Sequence, residues 1–460
     1  MAYDFQKVYT LVAQTPMIHF QHDQTGATLR ATEVKPKLDR YLWKCAEDEK
    51  IDKKQLELWS ALVSGCDEKT DMSDPNEKKP HRTFHYKMSI ERKGRPTDSQ
   101  ITMDDCKFYF GNQGDGDKKE LVFSNCSLQI ICFIPKLLEF IDAHIGAFFA
   151  LHNFGTRQTK GFGGFRINGQ TDEKIEQAVK NSGKLYFYAD VPIGDQNSVK
   201  NRFNHALTIY SVMKTGLNMT RYNEDRGTYR FPQRYIKGFA MRPFLDQISQ
   251  TYKIGSDKAF IKSKVHIPIP ADSQEKEKLD RDYRGYTFIR ALLGLAEQYE
   301  FRDRYRNKGV RINPNTHKSS YHPVGVALIN CPKNEDGFPK IKPNQRMDDL
   351  KKETKIQRFA SPVTIKIYNN RIYFLFDDSY KKILDQMFLF LSFSKEGRQT
   401  SYESISDCLS RGHYLSTPKD FDMKAFIEKF VSHYNNKVKS QLQSFEDPYV
   451  NSKNLTLQKG

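Results

Sequence analysis

No stretch of this chain approaches the roughly 18 consecutive apolar residues that a membrane-spanning helix needs. The longest apolar run lies within Leu128–Ile134, and Gln129 interrupts it. The opening residues, Met-Ala-Tyr-Asp-Phe, carry neither the basic nor the apolar region of a secretory signal. The seven cysteines (Cys45, Cys66, Cys106, Cys126, Cys132, Cys331 and Cys408) form no Cys-x-x-Cys pair, so neither a zinc ribbon nor a disulfide framework is expected. Thiols scattered in this way fit a reducing cytoplasm. A Walker P-loop and a Gly-Gly-Asp-Asp motif are also absent. The expectation is a cytoplasmic protein with no membrane partner, no metal and no cofactor.

What is present points to a polyanion. The chain has 460 residues, enough for two large domains. Its 32 Phe and 24 Tyr exclude a wholly disordered chain. Lys and Arg number 73 against 56 Asp and Glu, a net charge of +17 and a pI near 9.3. A chain this basic most often meets nucleic acid first and an anionic membrane second.

Periodicity gives an α+β reading. Phe5–Phe20 reads as one or two strands. Beyond Pro36, the spacing of Leu38, Tyr41, Leu42 and Cys45 predicts a helix, followed by a short helix around Gln55–Val63. Asp67–Arg82 reads as an exposed loop. Strand patterns recur at His85–Glu91, Lys107–Phe110 and Glu120–Phe133, with a turn at Gly111. Pro135 suits a first helical turn, and Leu137 to Phe149 supply a broad apolar stripe ending near Phe154-Gly155. A strand at Phe162–Ile167 completes a strand, helix, two strands, helix, strand order, which is ferredoxin-like. We therefore expect two ferredoxin-like (RRM-like) domains in tandem, each an antiparallel sheet with helices on one face. The first would span 1–170, the second 171–440 with insertions at Ala271–Asp282 and Pro332–Gln357, and 441–460 would be a polar tail. In the second, Lys184–Val191 and a hairpin over Pro362–Phe376 read as strands, and Val199–Gly216, Phe288–Leu295 and Phe421–Val431 as helices.

The segment Gly155-Thr-Arg-Gln-Thr-Lys-Gly-Phe-Gly-Gly-Phe-Arg-Ile167 is the most informative. Glycines let a backbone come close to a partner and present its N–H groups to an anion. Arg157, Lys160 and Arg166 add cations, and Phe162 and Phe165 add rings on which bases could stack. From Gly155 to Lys264 there are 19 Lys and Arg against 9 Asp and Glu. Within it Arg221, Arg226, Arg230, Arg234 and Arg242 alternate with Tyr and Phe, and a further cluster holds Arg302, Arg304, Arg306, Lys308 and Arg311. The competing reading is a tight glycine connection and solvated basic surfaces with core aromatics.

Thr15-Pro-Met-Ile-His and Leu29-Arg-Ala-Thr-Glu-Val-Lys-Pro-Lys-Leu-Asp-Arg-Tyr41 resemble the opening of the RAMP proteins of CRISPR systems. More narrowly, the chain is similar to the first subunit of the type III-B (Cmr) effector complex. Gly155-Thr-Arg157 and Gly161-Phe-Gly163 match that subunit's glycine-rich loop, and Ser361-Pro-Val-Thr-Ile-Lys366 resembles a segment of its second domain. Where the family continues with aromatics after the first basic helix, Asp39-Arg-Tyr-Leu-Trp43 stands instead. The resemblance implies an RNA-binding subunit without a catalytic centre of its own. It would contact CRISPR guide RNA and single-stranded target RNA beside other subunits of a type III effector in antiviral defence. Expected RNA contacts are Arg30, Lys35, Lys37 and Arg40 at the first helix, Arg157, Lys160, Gly161, Phe162, Gly163 and Arg166 in the loop, and Arg230 and Arg234 beyond it.

The alternative is a metal-independent endoribonuclease that processes guide-RNA precursors, with His19 or His22 as the base. His81 and His85 lie four apart but carry no further signal. His144 falls on the apolar helix face and reads as a satisfied core residue. His317 and His322 would need distant partners to bind metal. Asp104-Asp105 and Asp377-Asp378 read as turn residues at strand ends.

Overall fold

A computed structural model describes residues 5–18, 28–62, 82–93, 121–218, 222–223, 228–229, 235–241, 261, 287–296, 298–300, 325–335, 339–341, 359–396, 399–443 and 455–460. In chain order the main elements are β1 (Gln6–Ala13), α1 (Ala31–Asp48), β2 (Lys87–Arg92), β3 (Cys126–Ile131), α2 (Pro135–Leu151), β4 (Phe165–Ile167), α3 (Asp172–Asn181), β5 (Leu185–Asp190) and α4 (Val199–Lys214). There follow β6 (Gln298–Glu300), β7 (Gly325–Cys331), β8 (Val363–Ile367), β9 (Arg371–Phe376), β10 (Met387–Glu396), β11 (Gln399–Tyr402), α5 (Ile405–Ser410), β12 (Tyr414–Ser416), α6 (Met423–His433), α7 (Lys439–Gln443) and β13 (Leu457–Lys459).

The chain forms two compact units that are not consecutive in sequence. One gathers Met1–Leu207, Thr364–Phe376 and Lys439–Gly460; the other gathers Thr208–Val363 and Asp377–Val438.

The first unit holds two antiparallel sheets of like order. In the first, the neighbours run β2-β3-β1-β4, with β1 antiparallel to both β3 and β4 and β2 antiparallel to β3. That is the order a split β-α-β pair gives, the ferredoxin-like arrangement expected from the sequence. Its core forms because Val34, Leu38, Leu42 and Ala46 repeat every fourth residue along α1 and meet Leu137, Ile141, Ile145 and Phe148 of α2 over Leu11, Leu128 and Ile130 of the sheet. α1 begins at Ala31, earlier than expected, and Pro36 lies inside it. The N–H that Pro36 lacks would have served the carbonyl of Thr32 in the exposed first turn, where water can replace it. The second short helix stops at Trp59, and Ser60–Leu62 then pairs with Arg82–Phe84 as strand.

In the second sheet the order is β8-β9-β5-β13. Here β5 is antiparallel to β9 and to β13, and the 368–370 turn closes the expected hairpin of β8 and β9. Tyr186, Tyr373 and Leu375 pack with Ile175, Ala178 and Val179 of α3 on one face. On the other, alternate residues Phe187 and Phe374 stack 4.6 Å apart. The stretch read as a polar tail supplies β13, anchored by Leu455 and Leu457, both at most 2% exposed.

The second unit is built on the sheet β6-β7-β10-β11, with β12 also paired to β10. Ile329, Leu389, Leu391, Ile405 and Cys408 form its core beneath α5. Phe239 sits edge-on to Phe426 and Phe430 of α6, the helix expected at Phe421–Val431. The expected helix at Phe288–Leu295 is a single turn, Ile289–Leu292, stopped by Gly294. The strand expected at Lys107–Phe110 and most of the loop Asp67–Arg82 lie outside the described residues.

Candidate nucleic-acid interface

The glycine-rich segment joins α2 to β4 and is laced to its surroundings. The N–H of Gly163 donates to Pro16 O at 2.9 Å and that of Thr156 to Ile18 O at 2.8 Å, while that of Gly164 donates to Thr15 Oγ1 at 2.8 Å. The N–H of Gly155 donates to Glu33 Oε1 at 2.6 Å. These donors, which the sequence offered as a phosphate cradle, are therefore held inside the fold. Gly163 has φ +72°, and a Cβ there would collide with the Phe154 carbonyl, so close backbone crossing is one reason this position is glycine.

The aromatic residues of the loop are also committed. Phe162 is fully buried with its ring 4.7 Å from that of Phe203 on α4, and Phe165 is buried against Phe154. Neither offers an open face to a base. Nor does the outer face of the first sheet, where Val8 and Thr10 of β1 pair with Gln129 and Ser127 of β3. An RRM stacks bases on aromatics at such positions, and these residues are not aromatic.

The first-helix cations divide into two kinds. Lys35 Nζ donates to Asp39 at 2.8 Å, Thr83 Oγ1 at 3.0 Å and Phe84 O at 3.1 Å, and lies over the Tyr86 ring at 4.1 Å. Lys37 Nζ donates to Gln158 Oε1 at 2.7 Å, Glu33 at 3.2 Å and Asn153 O at 3.2 Å. Burial pushes the Lys37 ammonium below the usual range, against the pull of Glu33. Both lysines hold the fold. Arg30 and Arg40 are exposed instead.

At the loop itself Arg157 adopts a left-handed backbone, φ +55°, and opens the 3-10 turn Gln158–Lys160. Burial beside Arg157 brings the Lys160 ammonium down to about 7. Arg166 approaches Asp172 at 3.5 Å and is about one third exposed.

One residue that sequence reading missed lies on α4, the helix whose Phe203 packs against the loop. Arg202 of α4 is 3% exposed, and its Nε and one terminal nitrogen have no hydrogen-bond partner. Burial lowers its guanidinium to about 10. Its neighbour Phe203 packs on Phe162, and a Cβ at Gly161 would lie 3.6 Å from the Phe203 ring, so Arg202 is carried by the helix that supports the loop. Among the described residues these two nitrogens lack acceptors, and a buried donor left unpaired is unfavourable.

The remaining expected residues separate plainly. Arg230, Arg234, His19, His22, His81, His317, His322, Asp104 and Asp105, with the 302–311 cluster, lie outside the described residues. His85 is exposed. His144 is half-buried, its Nδ1 2.8 Å from Phe140 O and its Nε2 2.8 Å from Glu49 Oε1. Asp377 accepts from Ser379 N at 2.9 Å and Asp378 pairs with Lys381, as turn residues do. No helix among the described residues is long and apolar enough to cross a membrane.

Two family models match the chain: the Cmr1 N-terminal domain over residues 5–217 and the Cmr1 C-terminal domain over residues 240–454. The chain belongs to the Cmr1 family. It is thus a RAMP-type subunit of the type III-B CRISPR effector complex, and other subunits of that complex are its partners. No curated protein and no solved structure matches it. The N-terminal Cmr1 match includes both helices of the first ferredoxin-like sheet, the glycine-rich loop and Arg202.

Proposed function

We propose that this Cmr1-family chain binds RNA within the effector, gripping the phosphate backbone of guide or target RNA at the glycine-rich loop. The observation that carries the reading is Arg202, a buried guanidinium with two nitrogens lacking acceptors, on the helix that supports a loop bearing Arg157, Lys160 and Arg166. A phosphate oxygen supplies the missing acceptor, and Arg matches that geometry with two parallel hydrogen bonds. The net charge of +17 favours the same polyanion over long range. Binding through backbone charge rather than stacking agrees with the burial of Phe162 and Phe165. The chain then holds RNA without cutting it and serves antiviral defence through the complex in the cytoplasm.

The test is retention of labelled single-stranded RNA and repeat RNA by the purified chain, across a salt series, with EDTA and with magnesium. Retention that weakens steeply with salt and leaves the RNA intact supports the reading. A discrete cut that is indifferent to EDTA and lost in His19→Ala or His22→Ala would replace it with the processing-nuclease reading.

A further inference from the structure

Three side chains of metal-ligating chemistry meet in the second unit, far in sequence from the glycine loop. Glu403 follows β11, Cys408 lies on α5 and His413 opens the turn into β12. The carboxylate oxygen, the thiol sulfur and an imidazole nitrogen all lie within 4.8 Å of one another. Cys408 and His413 are at most 1% exposed, and the Glu403 side chain is 8% exposed.

His413 is the telling member. Its Nδ1 is buried with no hydrogen-bond partner. It stands 3.4 Å from Glu403 Oε2, within ion-pair reach. The ring is held there by stacking on Phe390, centroids 5.2 Å apart and planes 9° from parallel. A buried imidazole nitrogen ion-paired to a carboxylate, with a thiol in the same cluster, places three groups of ligand chemistry together.

The separation fits a metal. Ligand atoms at 2.0–2.3 Å from a tetrahedral zinc sit roughly 3.3–3.7 Å apart. The His413–Glu403 edge, at 3.4 Å, already has that length. The surroundings hold the carboxylate as outer-shell groups do: Ser392 Oγ donates to Glu403 Oε2 at 2.7 Å, and Arg411 approaches Oε1 at 3.5 Å. Local hydrogen bonds fix the segment, with Glu403 N donating to Ser392 O at 2.9 Å and His413 N to Cys408 O at 2.9 Å. A thiolate and a carboxylate together neutralise a divalent ion, and imidazole with thiolate selects zinc over magnesium or calcium.

We propose that Glu403, Cys408 and His413 bind one divalent ion of the zinc class, with a water in the fourth position. The ion ties α5 and the turn into β12 to the end of β11, a crosslink that stabilises this unit. This proposal is independent of RNA binding.

Cobalt(II) is the probe, because thiolate ligation gives it a near-ultraviolet charge-transfer band and tetrahedral geometry gives it intense visible absorption. The full chain, stripped by chelator and shown folded by circular dichroism, is titrated with cobalt(II) and then with zinc(II). One equivalent is expected to bind with both signatures, and zinc(II) to displace it and raise the melting temperature. Cys408→Ser is expected to lose the charge-transfer band, and His413→Gln to weaken binding at least tenfold. Folded wild-type chain that shows no thiolate band overturns the site whatever the variants do. So does a band that persists undiminished in folded Cys408→Ser.

Discussion

Glu33 reaches from the first turn of α1 to the backbone N–H of Gly155, 2.6 Å away, and fixes where the glycine loop leaves α2. The same carboxylate oxygen accepts from Lys37 at 3.2 Å, and Lys37 in turn holds Gln158 at 2.7 Å. A charged acceptor on a backbone donor contributes about 1.5–3 kcal/mol when partly buried. Glu33→Ala is therefore expected to lower unfolding free energy by about 2 kcal/mol in urea titration, with Glu33→Gln losing less. A loss below about 0.5 kcal/mol for the alanine variant would show that the latch is not structural.

Gly163 and Gly169 provide a paired test of the loop, since both have positive φ, +72° and +78°. A Cβ at Gly169 meets nothing within 4 Å, whereas at Gly163 it collides with the Phe154 backbone. Gly169→Ala should cost about 1–2 kcal/mol from the left-handed backbone alone. Gly163→Ala should cost clearly more, about 3 kcal/mol or beyond, because backbone must move. Equal melting temperatures for the two variants would contradict the crossing.

Cations of the glycine loop and of the first helix should behave in opposite ways. Arg157→Ala and Lys160→Ala are each expected to reduce the salt slope of RNA binding by about 1, with little effect on sequence preference. Lys35→Ala should leave that slope unchanged and lower stability instead, because its three hydrogen bonds are internal. A changed slope for Lys35→Ala alongside an unchanged one for the loop variants would reverse the assignment.

Arg202→Met separates stability from binding. Removing a buried cation with two nitrogens lacking acceptors among the described residues is expected to leave the RNA-free melting temperature unchanged or raise stability by about 1 kcal/mol. RNA affinity should fall at least threefold. Lower stability with unchanged affinity would mean that the guanidinium serves the fold.

Lys366 predicts a pH dependence with a definite sign. It is fully buried and donates to the Phe149 and His152 carbonyls at the end of α2, at 3.0 and 2.7 Å. Burial brings it from its usual 10.5 down to about 7. Between those values the unfolded chain binds a proton that the folded chain does not, so this group makes stability rise with pH, by at most about 1.4 kcal/mol per unit. Below pH 7 its penalty is fully present. Buried thiols such as Cys331, pushed up to about 12 by burial, act in the opposite sense above pH 9. Urea midpoints from pH 7 to 8.5 should therefore rise more steeply for the wild type than for Lys366→Met. Parallel lines for the two proteins would show that Lys366 stays charged.

Much of the first sheet was legible because its helices carry their burial in local spacing. Leu38 and Leu42, and the α2 stripe behind Pro135, follow from period alone. The glycine loop was legible as a loop but not in its use. Phe162 reads like a stacking ring until α4 brings Phe203 against it, and that contact joins residues which no local pattern connects. Arg202 was missed for the same reason, since an arginine early in a helix reads as solvated unless tertiary packing closes over it. Leu455 and Leu457 did leave a signal, an alternation within a polar stretch, that marks a strand. Of the second unit only α6 and the turn at Ile289–Leu292 were legible, because two separate stretches of chain build it and the hairpin of β8 and β9 lies between them in sequence.

The pairing of β5 with β13 sets a schedule for synthesis. Tyr188 meets Gln458, a partner 270 positions later in the chain, and their side chains bond at 2.7 Å. At about 5–20 residues per second a ribosome needs roughly 15–55 s to make that interval. Throughout it one side of β5 is an unpaired strand edge, the kind that other chains can join. Chaperone demand, and the fate of truncated products, should depend on the arrival of these few C-terminal residues more than on the rest of the chain.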